Sequence, residues 1–568
     1  MKLKNIILTS AAGLLALTSC NDKMNYKEYN VYDEDYVKEM FGRVGGFMTR
    51  IYNDLDADFG NYSGAVLGSA TDESVYSHPG NAIEDFYNGA WGATNDQNKI
   101  WSSAWDGISY CNLVLDEFLG LTFPNYVLDV HYKGEMAQYK NYEYECRWAR
   151  AYFYFLLVRD YKNVPLKVHH ISADEANALP QMPCDSIFKF IDDECAAIKD
   201  SIVVDYSTVE QGVNDNSETG RANKLAVMAL RARAALYHAS PLYNEGNNQA
   251  FWLEAAKRCD EFIKEAKNQG KNLCSNYSSL FTNGSGGSDD ANALKELIFC
   301  KRAGSASNAF EKYNFPIGME NAGGGNCPTQ NLVDAFEMKN GKAITDAESG
   351  YDPQNPYADR DSRLGYIVAV NGEVWPDAEL ETYVGGANSE SVTYGTPTSY
   401  YLKKYVQRST IIKNTGSNSF RHNWVIFRMA EFYLNYAEAA FKATGNGYSK
   451  PEGCSMTAAE AINVVRKRAG QPNIATDLSA TDFEERYENE RFVELAFEGH
   501  RFYDVRRWKK ADKYFTNIRK MTITKAVDGT LTYAPGAYQT RQWKDAWYLF
   551  PLPQKDVLNC GYTQNPGY

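Results

Sequence analysis

The 568-residue chain holds 11 cysteines but no C-x-x-C pair, and after Leu17 it has no run of 18 apolar residues. The first absence removes the ligand spacing of a zinc ribbon and of a thioredoxin-like redox centre. The second removes a lasting transmembrane helix, which needs about 20 apolar residues to cross ~30 Å of hydrocarbon. Positive charge is also short: 59 Lys plus Arg against 72 Asp plus Glu leave a net charge of −13. Nucleic acid or an anionic membrane surface calls for a basic patch, and the only concentration of arginine lies in one helical segment. G-x-S-x-G, H-E-x-x-H and G-x-x-x-x-G-K-[ST] are all missing, and of seven histidines only His169 and His170 are adjacent, in a solvent-exposed junction after a helix. Serine-hydrolase, zincin and P-loop chemistry are thereby set aside, and no cofactor or metal is expected.

What the chain does have begins at its first residues. Lys2 and Lys4 precede an apolar core from Ile6 to Leu17, closed by Leu17-Thr18-Ser19-Cys20. The core is too short for a bilayer span and ends in small residues, the pattern of a cleaved signal peptide. Cys20, directly after Leu-Thr-Ser, resembles the acylated cysteine of a bacterial lipobox. The expected organisation is a leader over 1–19, a lipidated polar tether over 20–35 and one body over 36–568, attached to a membrane through the lipid on Cys20 alone. Of the other cysteines, Cys111, Cys146, Cys195 and Cys259 fall in helical patterns and read as small buried apolar groups, and one or two disulfides are left open.

Along the body, apolar and small residues recur at steps of three and four. Trp101 to Leu119, Trp148 to Arg159, Ala222 to Tyr243, Trp252 to Ala266, Phe427 to Ala443 and Ala458 to Ala469 all read as helices. Alanines such as Ala149, Ala151, Ala229, Ala232, Ala437 and Ala440 allow close antiparallel packing. The fold class is therefore mainly α: a tetratricopeptide-like helical-hairpin scaffold, with repeats mainly in 97–270 and 423–511. Segments 56–96 and 272–422 lack that period and form a long loop-rich subdomain with short strands, such as Glu296 to Cys300 and Gly365 to Val370. Loops of this length in a compact body usually carry function.

The most specific string runs from Glu490 to Trp508. Glu490, Glu494 and Glu498 step by four along one helix face, with Arg491, Arg501, Arg506 and Arg507 near in sequence, which reads as an ion-pair network and not as catalytic carboxylates. As a string, Glu490-Arg491-x-x-Glu494-Leu495-x-x-Glu498-Gly499-x-Arg501-x-x-Asp504-x-x-Arg507-Trp508 resembles the signature of the SusD/RagB family of outer-membrane nutrient-binding lipoproteins of Bacteroidota. Trp101 to Asn112, Trp148 to Leu166, Thr329 to Phe336, Arg428 to Ala439 with Ile462 to Gly470, and Pro551 to Tyr568 are similar to further family segments, in the family's order. The resemblance implies a non-enzymatic lipoprotein on the outer membrane, facing the cell exterior. It would capture an oligosaccharide or polysaccharide and pass it to a SusC-like TonB-dependent transporter.

A glycan binder needs flat rings for the C–H faces of sugars and short polar groups for hydroxyls. The first loop offers Asp58, Asn61, Asp72, Tyr76 and Trp91, and the second Trp375, Tyr383 and Tyr394. Trp91, set among Gly89, Ala90 and Gly92, is the leading candidate. Two rival readings are a peptide or other nutrient ligand on the same scaffold, and a lipid-anchored glycoside hydrolase whose least implausible carboxylate pair is Asp72 with Glu73. A structural cation near Asp289 and Asp290 has no convincing ligand spacing.

Overall fold

The computed structural model describes residues 34–97, 99–206, 220–281, 291–376 and 378–568. The leader, Cys20, nearly all of the tether, and Asp289 and Asp290 lie outside the described residues. The longer helices are α1 (Phe41–Asn53), α2 (Trp101–Glu117), α3 (Tyr132–Tyr161), α4 (Cys184–Ile198), α5 (Lys224–Ala239), α6 (Gln249–Asn268), α7 (Met429–Thr444), α8 (Ala458–Arg468), α9 (Ala480–Leu495) and α10 (His500–Arg507). From α2 to α8 each helix packs on the next, as a stack of hairpins. The mainly helical, tetratricopeptide-like architecture follows from side chains already visible in the sequence. Gly107 on α2 lets Phe153 of α3 sit where a Cβ would be only 2.3 Å from its ring. Asn223 caps α5 by accepting from Ala226 N–H, and Thr457 with Glu460 forms a capping box on α8. Buried apolar side chains from Val37 to Leu552 form one continuous cluster. No helix among the described residues is long and apolar enough to cross a membrane.

Apart from one long hairpin near the C-terminus, strands are short and sit in the loop subdomain and beside it. β1 (Ser74–Tyr76), β2 (Leu297–Lys301), β3 (Asn326–Pro328), β4 (Trp424–Arg428), β5 (Asn517–Lys525) and β6 (Leu531–Thr540) pair antiparallel as β1 with β3, β2 with β4 and β5 with β6. Two sequence expectations need correction. Phe427 belongs to β4, where the Trp424–Arg428 run is wholly buried and β-paired, so the helix starts only at Met429. The first half of Gly365 to Val370 is the end of a helix, Ser362–Ile367, and only Val368–Ala369 are extended, because Asp361 caps that turn through Arg363 N–H. The ten cysteines of the described residues are all free and eight are buried, so none is tied in a disulfide.

The signature segment is also two helices and not one. α9 stops at Leu495, and Phe497 (φ +60°) and Gly499 (φ +79°) turn the chain into α10. The physical cause is that the last carbonyls of α9 are taken by other donors. Tyr277 Oη and Arg428 Nη2 donate to Glu494 O at 2.8 and 2.9 Å, and Lys404 Nζ donates to Ala496 O at 2.7 Å. Glu498 therefore stands in the turn, not on the face that Glu490 and Glu494 share.

The three glutamates do sit in an ion-pair network, but their cations come from distant sequence. Arg363 bonds Glu490 at 2.6 Å and Glu494 at 2.8 Å; Arg466 bonds Glu490 at 2.9 Å. Arg428 reaches Glu494 at 2.7 Å, Glu296 at 2.8 Å and Glu498 at 2.6 Å, Arg468 adds Glu494, and Lys404 bonds Glu498 at 2.7 Å. The guanidiniums of Arg468, Arg428 and Arg363 hold the Glu494 carboxyl far below its ordinary range despite full burial. The local arginines serve elsewhere: Arg491 and Arg507 share Asp504, Arg507 also binds Glu438, and Arg506 lies 3.3 Å over the Phe502 ring with its pKa lowered by burial to about 9.

Candidate functional site

The two loop segments meet at β1 and β3, where Ser74, Val75 and Tyr76 face Pro328, Cys327 and Asn326. Asn326 is the clasp. Its Nδ2 donates to Gly64 O (3.1 Å) and Asn314 Oδ1 (2.8 Å), while its Oδ1 accepts from Val66 N–H (2.9 Å) and Ser69 Oγ (2.8 Å). A wholly buried amide with every group satisfied specifies one docking of the two loops.

Below the clasp, the signature helix holds the first loop from inside. Arg501 grips Asp72 through two bonds of 2.8 and 2.7 Å, both side chains being buried. Glu73 accepts from Phe497 N–H, and burial pushes its carboxyl up to about 8. Arg541 donates to Thr71 O, Ser69 O and Ser74 O and lies 4.1 Å over the Tyr87 ring. Asp72 is thus an anchor and not a ligand contact, because its two oxygens are consumed by one guanidinium. The pair Asp72 and Glu73 is withdrawn from solvent and cannot flank a glycosidic bond.

Above the clasp three rings stack. Tyr76 lies 5.1 Å from His78 at 25°, and His78 lies 4.0 Å from Tyr394 at 2°. Tyr76 is buried and donates to Ser63 O, His78 Nε2–H donates to Gly323 O at 2.5 Å, and Tyr394 is 48% exposed. The stack therefore runs from core to water and joins the two loops. Tyr394 sits at φ +63°, a strained backbone for a non-glycine residue, and Gly324 passes where a Cβ would be 2.3 Å from Tyr394 O. Around it are the exposed rings of Tyr313, packed against the Cβ-less Gly64, and Tyr538 of β6, with Lys520 Nζ 5.8 Å over its centroid and paired to Glu390 at 2.7 Å.

The tryptophans are corrected. Trp91 is 3% exposed: its ring meets Phe86 at 4.7 Å and Phe550 at 4.9 Å, and its Nε1 donates to Asp96 O. The small neighbours that suggested an exposed ring instead let the chain turn tightly into a core completed by Trp547 and Phe550 from the far end of the sequence. Trp375 is fully buried between Phe315, edge-on at 5.6 Å, and the Arg408 guanidinium at 4.9 Å. Tyr383 is engaged elsewhere: it donates to Glu381 at 2.7 Å under the Lys525 ammonium.

Asp58 and Asn61 line a cavity of about 80 Å³ that includes no ring of the stack, together with Asp56, Arg159 and His500 and apolar side chains such as Phe155 and Ile426. Asp58 accepts three backbone N–H groups, from Gly60, Asn61 and Leu67, which shape its own loop; burial nevertheless raises it to about 6. Burial and the guanidiniums of Arg233, Arg491, Arg428 and Arg507 push His500 well below the usual histidine range, so it is neutral. Among the described residues no group of three or more His, Cys, Asp or Glu is placed to hold a metal ion. Sequence reasoning thus finds both ends of the ring stack, Tyr76 and Tyr394, and misses its middle, His78. The Pro79-Gly80 turn that follows an alternating Tyr76-Ser77-His78 run was the available signal.

The fold is thus a stacked array of helical hairpins that carries accessible rings on two clasped insertions. Residues 295–568 match the model of the SusD family. It is similar to the SusD-like protein P2 of Formosa agariphila, 24% identical over 74% of this chain and 73% of that one. Among solved structures, a SusD-like protein from Bacteroides fragilis superimposes with a TM-score of 0.73 at 23% identity, covering 94% of this chain and 98% of the other. A SusD-like carbohydrate-binding protein from Bacteroides fragilis gives 0.71 at 20% identity over 92% and 99%.

Proposed function

We propose that this protein is a cell-surface glycan-binding lipoprotein, held to the outer membrane by lipid on Cys20, that captures an oligosaccharide or polysaccharide for delivery to a SusC-like TonB-dependent transporter. The observation that carries the reading is the parallel stack of His78 and Tyr394, which leaves one tyrosine face half in water on a rigid support. A sugar presents C–H groups on one side of its ring; covering roughly 100 Å² of such surface is worth about 2.5 kcal/mol before ordering costs. Those costs are low here, because the tyrosine is already fixed by the ring beneath it and by its own backbone. The family likeness and the carbohydrate-binding relative support the same ligand class.

The test is calorimetric titration of residues 21–568 against plant, host and microbial polysaccharides and their oligomers, with oligopeptides as a second panel. Binding to one glycan class without product formation, weakened at least tenfold by Tyr394→Ala and His78→Ala, is the expected result. Binding of peptides alone would replace the ligand class, and turnover of a glycoside would replace the non-enzymatic reading.

A further inference from the structure

Three stretches distant in sequence close a second groove, of about 320 Å³, on the helical side of the molecule, and it shares no residue with the ring stack. That volume lies at the lower end of the range for small-ligand pockets. The first turns of α2 supply Trp101, Trp105 and Asp106; the chain after α3 supplies Lys167 and Asn177; the C-terminal helix Gln554–Cys560 and Tyr562 complete the wall.

Two tryptophans divide the work. Trp101 is buried, donates its Nε1–H to Asp556 at 2.7 Å and meets Tyr161 edge-on at 4.8 Å, so it is wall. Trp105 is partly exposed, and it is braced by Trp101 at 5.7 Å and Tyr154 at 6.1 Å, both rings near perpendicular to its own. Beside it stands Asp106, an exposed carboxylate with no hydrogen bond or ion pair among the described residues. Lys167 Nζ donates to Ser109 Oγ at 3.2 Å and keeps two protons for another acceptor; burial lowers its pKa. Asn177 takes the Cys560 thiol on its oxygen and retains its amide donors.

A braced ring with a free carboxylate, an ammonium and an amide around it matches a pyranose, whose C–H face covers the ring while its hydroxyls both donate and accept. Two aspartates against one lysine leave the groove slightly acidic, which disfavours uronic or sulfated sugars. We propose that this groove is a second glycan subsite on the helical scaffold, selective for neutral sugar units. The proposal rests on the glycan-capture reading and adds to it. Two sites on one protein raise the effective affinity for a polymer over that for its short oligomers.

The experiment titrates residues 21–568 with a short oligomer of the glycan that the panel selects, and with the polymer, using Trp105→Ala, Asp106→Asn, Tyr394→Ala and the Trp105→Ala/Tyr394→Ala double variant. Two oligomer sites in the wild type are expected, with one left in Trp105→Ala and in Tyr394→Ala, none in the double variant, and polymer affinity at least tenfold weaker in each single variant. Asp106→Asn, on an exposed position, decides the matter if Trp105→Ala fails to fold; it should weaken one site about tenfold or more. A single site lost in Tyr394→Ala and untouched by both groove variants overturns the proposal and leaves the capture reading standing. A single site lost only in the groove variants upholds the proposal and overturns the loop-face reading, whereas no glycan binding at all overturns both.

Discussion

Around α9 and α10 the chain buries glutamates and arginines and pairs most of their charges with one another, whereas on the loop face it stacks tyrosine and histidine and leaves the last ring uncovered. Both regions are rich in groups that bind ligands in other settings. The difference lies in whether the bonding capacity of those groups is used up inside the molecule. Glu494 spends its carboxylate on three arginines, and Asp72 spends both oxygens on Arg501. Tyr394 spends one face on His78 and keeps the other.

That contrast can be broken first at the buried network. Arg428→Met should cost about 3–5 kcal/mol, since Glu296, Glu494 and Glu498 lose a shared cation while staying buried, and denaturant unfolding would read it directly. A loss under about 1 kcal/mol would mean that the network is replaceable by packing alone. Trp91→Ala and Trp375→Ala should each cost about 3–5 kcal/mol in stability through lost burial. If either variant instead unfolds like the wild type and loses ligand, the assignment of that ring to the core is wrong.

At the seam between the two regions, Arg501→Leu should cost about 3 kcal/mol and leave Asp72 buried without a partner. Hydrogen exchange should accelerate over 66–76 before it does in α2 to α6. On the loop face the pattern inverts: Tyr394→Ala should shift stability by under about 0.5 kcal/mol, as surface changes do, while weakening glycan binding at least tenfold. The smallest expected effect is on pH. Burial raises Glu73 to about 8 from an ordinary 4.5, so the folded state holds a proton that the unfolded state has released. Stability from this group is therefore full below about pH 4.5 and falls as pH climbs towards 8. In Glu73→Gln the decline in melting temperature between pH 5 and 8 should be shallower than in the wild type; an identical slope would mean that Glu73 is ionised in the fold.

How much of this was legible in the sequence follows the range of the interactions. The helices could be read because their period and alanine content are local. The acidic ladder could be recognised as an ion-pair network, but its arginines could not be named, since Arg363 and Arg428 lie 131 and 66 residues from Glu494. Trp91 misled for the same reason: its exposure was judged from Gly89 and Gly92, and its burial is decided by Trp547 and Phe550. The β5–β6 hairpin went unread although the signal was local, with Asp528-Gly529 between two runs that include Ile518, Met521 and Ile523 on the buried face. It matters to the site because Met521 N–H and O bond Thr398 and Ser399, bracing the second loop five residues after Tyr394.

Asn326 lies 257 residues after Ser69, and the ring that covers His78 comes later still. A chain made from its N-terminus can pack α1 to α6 while the first loop has neither its strand partner nor its clasp, because both arrive with residue 326. Closure of so long a segment is among the slow steps of folding. The ring stack is thus a late product of synthesis, and a half-made chain with a good complement of helices would lack it.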